Sequence, residues 1–145
     1  MILLDTNIVS ELMRPAPAAA VEQWLADQPE AALLISAITE AELRFGAKIM
    51  AAGKRQAALV AEIDGMLAED FGGRILPLDS PAAVAFAEIA AQRRQAGRPI
   101  SQADAQIAAI ARSRRASIAT RNVSDFEGCG VEVIDPWRAD PGSRL

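Results

Sequence analysis

The sequence predicts an α/β fold of three layers, in which helices cover both faces of a central, mostly parallel sheet of about five strands. Three observations predict this fold. Short runs that are apolar throughout alternate with longer stretches that have helical periodicity. A strand that is apolar on both sides is typical of a parallel sheet whose crossover helices bury both faces. The 145 residues, without repeats or a long linker, are enough for one domain with its own core.

The predicted strands are short, apolar and bounded by polar or turn residues. The first, residues 2–5, is a continuous apolar run that ends at Asp5. The second, residues 33–36, closes another apolar run and ends at Ser36. The remaining three are predicted over residues 75–78, 117–119 and 131–134.

The predicted helices lie between these strands and have recognisable ends. Pro15 stops the first helix, and Gly53 ends the third. The fifth helix is capped by Ser80, has Pro81 at its first position and is followed by Gly97. The six helices are predicted over residues 7–14, 17–27, 39–52, 55–69, 80–95 and 102–114.

The domain is predicted to span residues 1–136, followed by a C-terminal tail, residues 137–145. The tail is rich in Pro, Asp, Gly, Ser and Arg, and we expect a loosely held extension. No apolar run approaches the ~20 residues that a membrane span needs. The N-terminal segment has neither the basic residues nor the long apolar stretch of a signal peptide. We therefore expect a cytoplasmic protein that does not enter a membrane.

The composition excludes several kinds of catalytic site. The chain has no histidine and a single cysteine, Cys129, so a Ser–His–Asp triad, a Cys–His pair and an internal disulfide are impossible. A zinc site is disfavoured for the same reason. The net charge of −4 argues against a basic nucleic-acid-binding surface. If the chain binds a nucleic acid, a bound cation and local arginines must offset this charge.

Four acidic residues stand where strands end or helices begin. They are Asp5, Glu42, Asp104 and Asp125. Asp5 and Asp125 follow predicted strands, and the other two lie in the first turns of predicted helices. Each one alone can be a helix cap, a member of a capping box or a turn residue; Thr39 with Glu42, for example, has the capping-box spacing. The sequence of each segment leaves both the structural and the functional interpretation open.

Taken together, the acids predict a cation site. In open α/β sheets, ligands bind beyond the carboxyl ends of the strands, and neighbouring strands share one crevice there. Carboxylates that converge repel one another unless a cation lies between them. Glu42 also shares a helix face with Ile38, Phe45 and Ile49, so we expect it to be pressed against apolar surface. Mg²⁺ and Mn²⁺ prefer oxygen ligands, and a site of this kind activates water for attack on a phosphate.

Four segments, in this order, resemble the PIN-domain family, in particular its VapC-like and FitB-like toxins. They are LDTN at residues 4–7, TEAELRFG at 39–46, the helix start at Asp104, and ATRNVSDF at 119–126. The resemblance extends from residue 1 to about Pro136, which is nearly the whole chain. It implies a PIN-like fold with a five-stranded parallel sheet. It also implies a Mg²⁺- or Mn²⁺-dependent endoribonuclease that a cognate antitoxin neutralises.

The resemblance further implies which residues form the site. The metal-binding and catalytic acids of the family correspond to Asp5, Glu42, Asp104 and Asp125, and the family varies most in the segment of the last. Its supporting polar residues correspond to Thr6 or Asn7, Thr120 and Asn122.

Arginines near these segments are candidates for binding phosphate. Arg121 offers a bidentate guanidinium, and Arg44 forms a second candidate with Lys48, although both can equally lie on a solvated surface. With four Phe, two Trp and no Tyr, the chain has few rings on which bases can stack. We therefore expect the RNA to be recognised through its backbone and shape.

Partner proteins are also expected. The helices between residues 17 and 69 carry apolar residues on more than one side, which indicates a partner groove or a dimer interface. Together with the resemblance, this favours a homodimer with an antitoxin clamped across it, within a higher toxin–antitoxin assembly.

Other proteins of similar architecture fit the sequence less well. A phosphotransfer receiver domain needs paired acids at the first strand and a late lysine, and no Lys follows position 55. A phosphatase of the aspartyl-phosphate type needs a second Asp where Asn7 stands. A dinucleotide-binding module needs a glycine-rich loop after the first strand. The remaining alternative is a catalytically inactive PIN-like binding or scaffold module, which would usually have lost at least one of the four acids.

Overall fold

A central parallel sheet organises the computed structural model, which describes residues 1–138. The strand order is β3-β2-β1-β4-β5, and all four neighbouring pairs are parallel. The strands are β1 (Ile2–Leu4), β2 (Leu33–Ser36), β3 (Ile75–Leu76), β4 (Ser117–Ala119) and β5 (Val133–Ile134). The predicted fold class, a three-layer α/β fold with five strands, is confirmed.

Helices and two short 3₁₀ turns connect the strands. The helices are α1 (Thr6–Leu12), α2 (Ala19–Ala26), α3 (Ala37–Lys48), α4 (Lys54–Glu69), α5 (Ser80–Gln95) and α6 (Gln102–Ser113). The 3₁₀ turns are Glu30–Ala32 and Val123–Phe126. No helix within residues 1–138 is both long and apolar enough to cross a bilayer.

Two apolar clusters hold the layers together, one on each face of the sheet. Leu3 points into the cluster formed with α5 and α6, where Ile89 and Ile107 are fully buried. Its neighbours Ile2 and Leu4 point into the opposite cluster, formed with α1 to α4. Each buried aliphatic side chain of this size contributes roughly 1.5–3 kcal/mol. The continuous apolar sequence of β1 is thus explained by burial on both faces.

The order of the strands places the site. The chain runs from β1 to β2 on one side of the sheet and returns to β4 on the other, so the direction of winding reverses between β1 and β4. Leu4 is paired with Ala119, and the Asp5 N–H donates to the Ala119 carbonyl at 2.9 Å. Asp5 and Thr120 therefore leave the sheet side by side, at the position where open α/β sheets bind ligands.

Two predicted helix caps are wrong. The cap of α3 is Ser36, whose hydroxyl accepts from the Thr39 N–H at 3.0 Å, so Thr39 and Glu42 do not form the predicted capping box. The cap of α5 is Asp79, whose carboxylate accepts from the Ala82 N–H at 3.1 Å. In both helices the residue that leaves the preceding segment in an extended conformation becomes the cap, as cap geometry requires.

The predicted C-terminal tail, residues 137–145, is not loosely held at its first residue. Pro136 is buried, and Trp137 packs against the apolar cluster on the α1 side of the sheet. Trp137 is therefore continuous with the domain, while the rest of the predicted tail, residues 139–145, lies outside the described residues.

The α3 cap gives a first prediction. Ser36 is fully buried, and we expect Ser36→Ala to lower the free energy of unfolding by about 1 kcal/mol, because the Thr39 N–H loses its acceptor. Urea unfolding measures the change. Ser80→Ala is the matched control, since Ser80 is exposed in the first turn of α5 and is not its cap; we expect a change within about 0.5 kcal/mol. A larger loss for Ser80→Ala than for Ser36→Ala would contradict both cap assignments.

Candidate active site

Asp5 both caps a helix and forms the centre of a polar cluster. One carboxylate oxygen accepts from the Thr6 N–H at 2.8 Å, which caps α1. The other accepts from the Thr120 hydroxyl at 2.7 Å and from the side-chain amide of Asn7 at 3.2 Å. The residue is only 5% exposed. The two interpretations of Asp5 that the sequence left open are therefore compatible.

Thr120 positions Asp5. Its fully buried hydroxyl donates to Asp5 and accepts from the Asn7 side-chain amide and the Asn122 N–H, each at 3.1 Å. One hydroxyl has one proton and two lone pairs, so these three bonds use its whole hydrogen-bonding capacity. Thr120 thus has nothing left to offer a water or a phosphate. The Asn122 side chain stays exposed beside it.

Glu42 is held by a relay of hydroxyls. Its carboxylate accepts from the Thr6 hydroxyl at 2.7 Å, and the Thr6 oxygen lies 3.1 Å from the Thr39 hydroxyl. Because the Thr6 proton is committed to the carboxylate, Thr39 donates to Thr6. The Ser36 hydroxyl in turn donates to Thr39 at 3.5 Å. Thr39 is buried, and sequence reasoning assigned it only a capping role.

The surroundings of Glu42 differ from the sequence prediction. We expected it to be pressed against apolar surface, but Glu42 is exposed, and Phe45 and Ile49 on the same face are 64% and 68% exposed. The buried face of α3 is instead formed by Thr39, Leu43 and Ala47. Glu42 therefore reaches the cluster from the edge of its helix.

Asp104 and Asp125 complete the acidic group. Asp104 lies in the first turn of α6, where the Ser101 hydroxyl accepts from its N–H at 3.2 Å. Burial raises the pKa of Asp104, and the charges of Asp125 and Glu42 raise it further. Burial also raises the pKa of Asp5, with smaller contributions from Asp104 and Glu42. Asp104 thus lies close enough to each of the other three predicted acids for their charges to interact.

The donor chemistry of this group fits a hard divalent cation. Every candidate ligand is an oxygen, and Mg²⁺ and Mn²⁺ prefer such ligands. The raised pKa values reflect burial and crowding of negative charge, which a cation would relieve. Within residues 1–138, however, no three acidic or cysteine side chains already surround a point that can hold a metal ion. The oxygens of Asp5 and Glu42 are engaged by hydroxyls and N–H groups instead.

The raised pKa of Asp104 gives a prediction for stability. The folded state keeps the Asp104 proton to higher pH than the unfolded state, so this group lowers stability as the pH rises above 3.8. We expect Asp104→Asn to raise the free energy of unfolding at pH 7 in EDTA, and the gain to vanish below pH 3.8. Urea unfolding at several pH values tests this, with Glu22→Gln, an exposed acid on α2, as the control. A lower free energy of unfolding for Asp104→Asn than for the wild type at pH 7 would contradict this prediction.

Arg93 is a site residue that sequence reasoning missed. It lies in the last turn of α5, where an arginine usually complements the helix dipole from the surface, but its side chain is buried. Its guanidinium donates to the carbonyl oxygens of Asp125 and Glu127, each at 3.0 Å, and to that of Arg98 at 2.7 Å. Arg93 therefore fixes the 3₁₀ turn that carries Asp125. Its spacing in the sequence indicates the burial, because Arg93 continues the buried positions Ala82, Ala85 and Ile89 of α5.

The two candidate phosphate-binding arginines have different surroundings. Arg121 lines a pocket of about 540 Å³ next to Asp5. Arg44 does not line this pocket; its guanidinium binds Glu40 at 2.9 Å and Asp64 at 2.7 Å and so ties α3 to α4. Residues two apart on a helix face different directions, so Arg44 points away from Glu42. The prediction that Arg44 faces a phosphate at this site is therefore wrong.

Comparisons with known proteins agree on one family. The family model described as "PIN domain" matches residues 2–127. A relative named VapC ribonuclease Y4jK, from Sinorhizobium fredii, is 42% identical over 137 residues, covering 94% of this chain and 98% of the relative.

Solved structures share the fold. The crystal structure of FitAcB from Neisseria gonorrhoeae contains a chain with a TM-score of 0.89 and 39% identity, and the match covers 96% of this chain and 100% of that chain. A structure described as a toxin–antitoxin complex from Klebsiella pneumoniae contains a chain with a TM-score of 0.69 and 27% identity, covering 96% and 100%.

Proposed function

We propose that this chain, which belongs to the PIN-domain family, is a metal-dependent endoribonuclease and the toxin of a toxin–antitoxin pair. The observation that carries the proposal is the electrostatic coupling of four carboxylates near the reversal of winding between β1 and β4, where Asp104 acts on Asp5, and Glu42 and Asp125 act on Asp104. They come from four separate elements. The similarity to a VapC ribonuclease over nearly the whole chain supports the same reaction.

The bound cation is the proposed cofactor. Asp5, Glu42, Asp104 and Asp125 would hold Mg²⁺ or Mn²⁺, which supplies an activated water and neutralises charge on the phosphate. The chain's own residues prepare this site. Thr120 and Asn7 orient the Asp5 carboxylate, Thr6 orients that of Glu42, and Arg93 holds the turn that presents Asp125.

A protein partner is part of the proposal. Leu12, Met13, Leu25, Met66 and Phe71 line an open apolar groove of about 540 Å³ between α1, α2 and α4. We infer that the cognate antitoxin covers this groove and that the toxin forms a homodimer within the assembly. Sedimentation of the isolated chain and of the co-expressed pair measures both stoichiometries. A monomeric chain in both samples would overturn the homodimer.

RNA cleavage with and without metal tests the proposed function. We expect the purified, antitoxin-free chain to cut RNA in Mg²⁺ or Mn²⁺ and to stop in EDTA, with activity restored by excess Mn²⁺. We also expect Mn²⁺ to raise the melting temperature, since a ligand that binds only the folded state stabilises it by RT ln(1 + [L]/Kd). The Glu22→Gln control should behave as the wild type.

The opposite results would be decisive. Cleavage that continues in EDTA would overturn the metal mechanism. No cleavage, together with no Mn²⁺ binding by calorimetry, would replace the enzyme by an inactive binding or scaffold module.

A further inference from the structure

The pocket beside Asp5 combines groups that the proposed metal chemistry does not use. We call it the Trp137 pocket, and its walls include Asp5, Asn7, Glu11, Arg14, Arg121 and Trp137. Its volume of about 540 Å³ lies within the range of small-ligand sites. An aromatic ring, two cations and a catalytic acid thus share one cavity.

Arg121 and Trp137 form a cation–π pair in this pocket. The guanidinium carbon lies 4.8 Å from the centre of the indole ring. Trp137 also packs against the apolar cluster below it, which holds the ring in place. Among residues 1–138, no carboxylate lies within ion-pair distance of Arg121. A planar guanidinium supported by a fixed ring provides a stacking surface for a base.

Hydrogen bonds tie this pair to the acidic site. The Arg121 N–H donates to the side-chain oxygen of Asn7 at 3.2 Å, and the amide of the same Asn7 donates to Asp5. These bonds hold the backbone of Arg121, and therefore the start of its side chain, close to the Asp5 carboxylate at the centre of the site. Whatever occupies the pocket lies directly next to the atoms that react.

The charges in the pocket favour a neutral group inside it. Asp5 and Glu11 are both part of its wall. The pKa of Glu11 is lowered, chiefly by the hydrogen bond from the Ala18 N–H, so Glu11 stays ionised. Two carboxylates offset the two arginines of the wall, and Arg14 is paired with Glu11 at 3.3 Å, so the pocket has no net positive charge that favours a phosphate over a neutral base. Arg14, which is 66% exposed at the outer end of α1, is better placed for a phosphate.

We propose that the Trp137 pocket binds one unpaired nucleotide of the RNA, adjoining the phosphate that is cut. Its base stacks on the Arg121 guanidinium, which Trp137 supports, and Arg14 attracts the backbone phosphate outside. This inference rests on the proposed function and assigns the recognition of one nucleotide to Arg121 and Trp137. It replaces the expectation that the chain recognises only the backbone and shape of its RNA.

Binding without cleavage tests the proposal. Short single-stranded RNA is titrated in EDTA, followed by tryptophan fluorescence; Trp24, the second tryptophan, is buried, so Trp137 is the reporter. We expect quenching by the single strand and none by the same sequence as a duplex. Arg121→Lys keeps the charge but loses the stacking plane, and we expect binding to weaken about 5- to 100-fold. Arg55→Lys, exposed on α4, is the matched control.

RNA variants identify the nucleotide concerned. Removing one base at a time should weaken wild-type binding most at a single position, and that same position should matter little to Arg121→Lys. If Arg121 binds a phosphate instead, Arg121→Lys will bind like the wild type, while Arg121→Ala will flatten the salt dependence. That result, or equal binding of the duplex, would overturn the proposal.

The test separates this inference from the proposed function. Metal-dependent cleavage with unchanged RNA binding by Arg121→Lys would overturn the Trp137 pocket alone. Binding that depends on Arg121, without any cleavage in Mg²⁺ or Mn²⁺, would overturn the nuclease and support the pocket.

Discussion

Asp5→Asn lowers the rate of RNA cleavage at least about 10³-fold, which is the expected effect of removing a charged group from the centre of a catalytic site. Asp5 is buried where β1, β4 and α1 meet, and no other acid comes from this position. Initial rates in Mn²⁺ at 25 °C, with equal amounts of folded protein, measure the loss.

The hydrogen bonds of Asp5 predict a second effect of the same change. Donors face both of its oxygens: Thr6 on one side, and Thr120 and Asn7 on the other. An asparagine amide must point its own N–H groups at one of these sets. We therefore expect Asp5→Asn to lose about 1–3 kcal/mol of stability as well.

Asp104→Asn separates these two effects. The side-chain partner of the Asp104 carboxylate is the Ser101 hydroxyl, which can accept from an amide as well as donate to a carboxylate, so the uncharged variant creates no clash between donors. We expect cleavage to fall as it does for Asp5→Asn, without the loss of stability. If both variants still cleave RNA, the activity comes from a contaminating nuclease.

Arg93→Met has the second large expected effect: it lowers the stability of the fold and, as a consequence, the rate of cleavage. It removes the donor from three carbonyl oxygens, those of Arg98, Asp125 and Glu127. Unsatisfied buried acceptors cost about 1–3 kcal/mol each, and partial access of water makes about 3 kcal/mol a reasonable total. Cleavage should fall roughly 10- to 100-fold, as for other residues that orient a metal ligand. Urea unfolding and initial rates measure the two effects.

Arg94→Met is the matched control, because Arg94 is the next residue of α5 and is exposed. We expect it to change stability by less than about 0.5 kcal/mol and to leave cleavage as in the wild type. Arg93→Lys keeps the charge but not the planar fork, and should be intermediate. Equal stability of the Met variants at 93 and 94 would mean that Arg93 does not hold the turn.

The sheet was predictable because its three central strands, β1, β2 and β4, are largely buried and are apolar except for a serine at one end of β2 and of β4. The caps of α3 and α5 were not, because each helix has two suitable cap residues close together, Ser36 or Thr39 for α3 and Asp79 or Ser80 for α5. Local sequence does not decide between them. The choice depends on where the preceding segment stops being extended, which is a property of the folded sheet.

Part of the candidate site was likewise predictable from the sequence and part was not. The acids were predictable because they stand at element ends, where parallel sheets collect functional groups. Their supports were not. The bond from Thr120 to Asp5 joins residues 115 positions apart, and the buried position of Arg93 depends on α5 packing beside the Asp125 turn. The exposure of Glu42 was mispredicted because an apolar helix face was taken to be a buried one.

The bond between Thr120 and Asp5 has a consequence for the synthesis of the protein. Asp5 is synthesised 115 residues before Thr120, but its carboxylate is not fixed until β4 and Thr120 have been made and have paired with β1. A nascent chain that ends before residue 120 also lacks Asp125 and the turn that Arg93 holds. Translation products interrupted before that point therefore cannot assemble the proposed site.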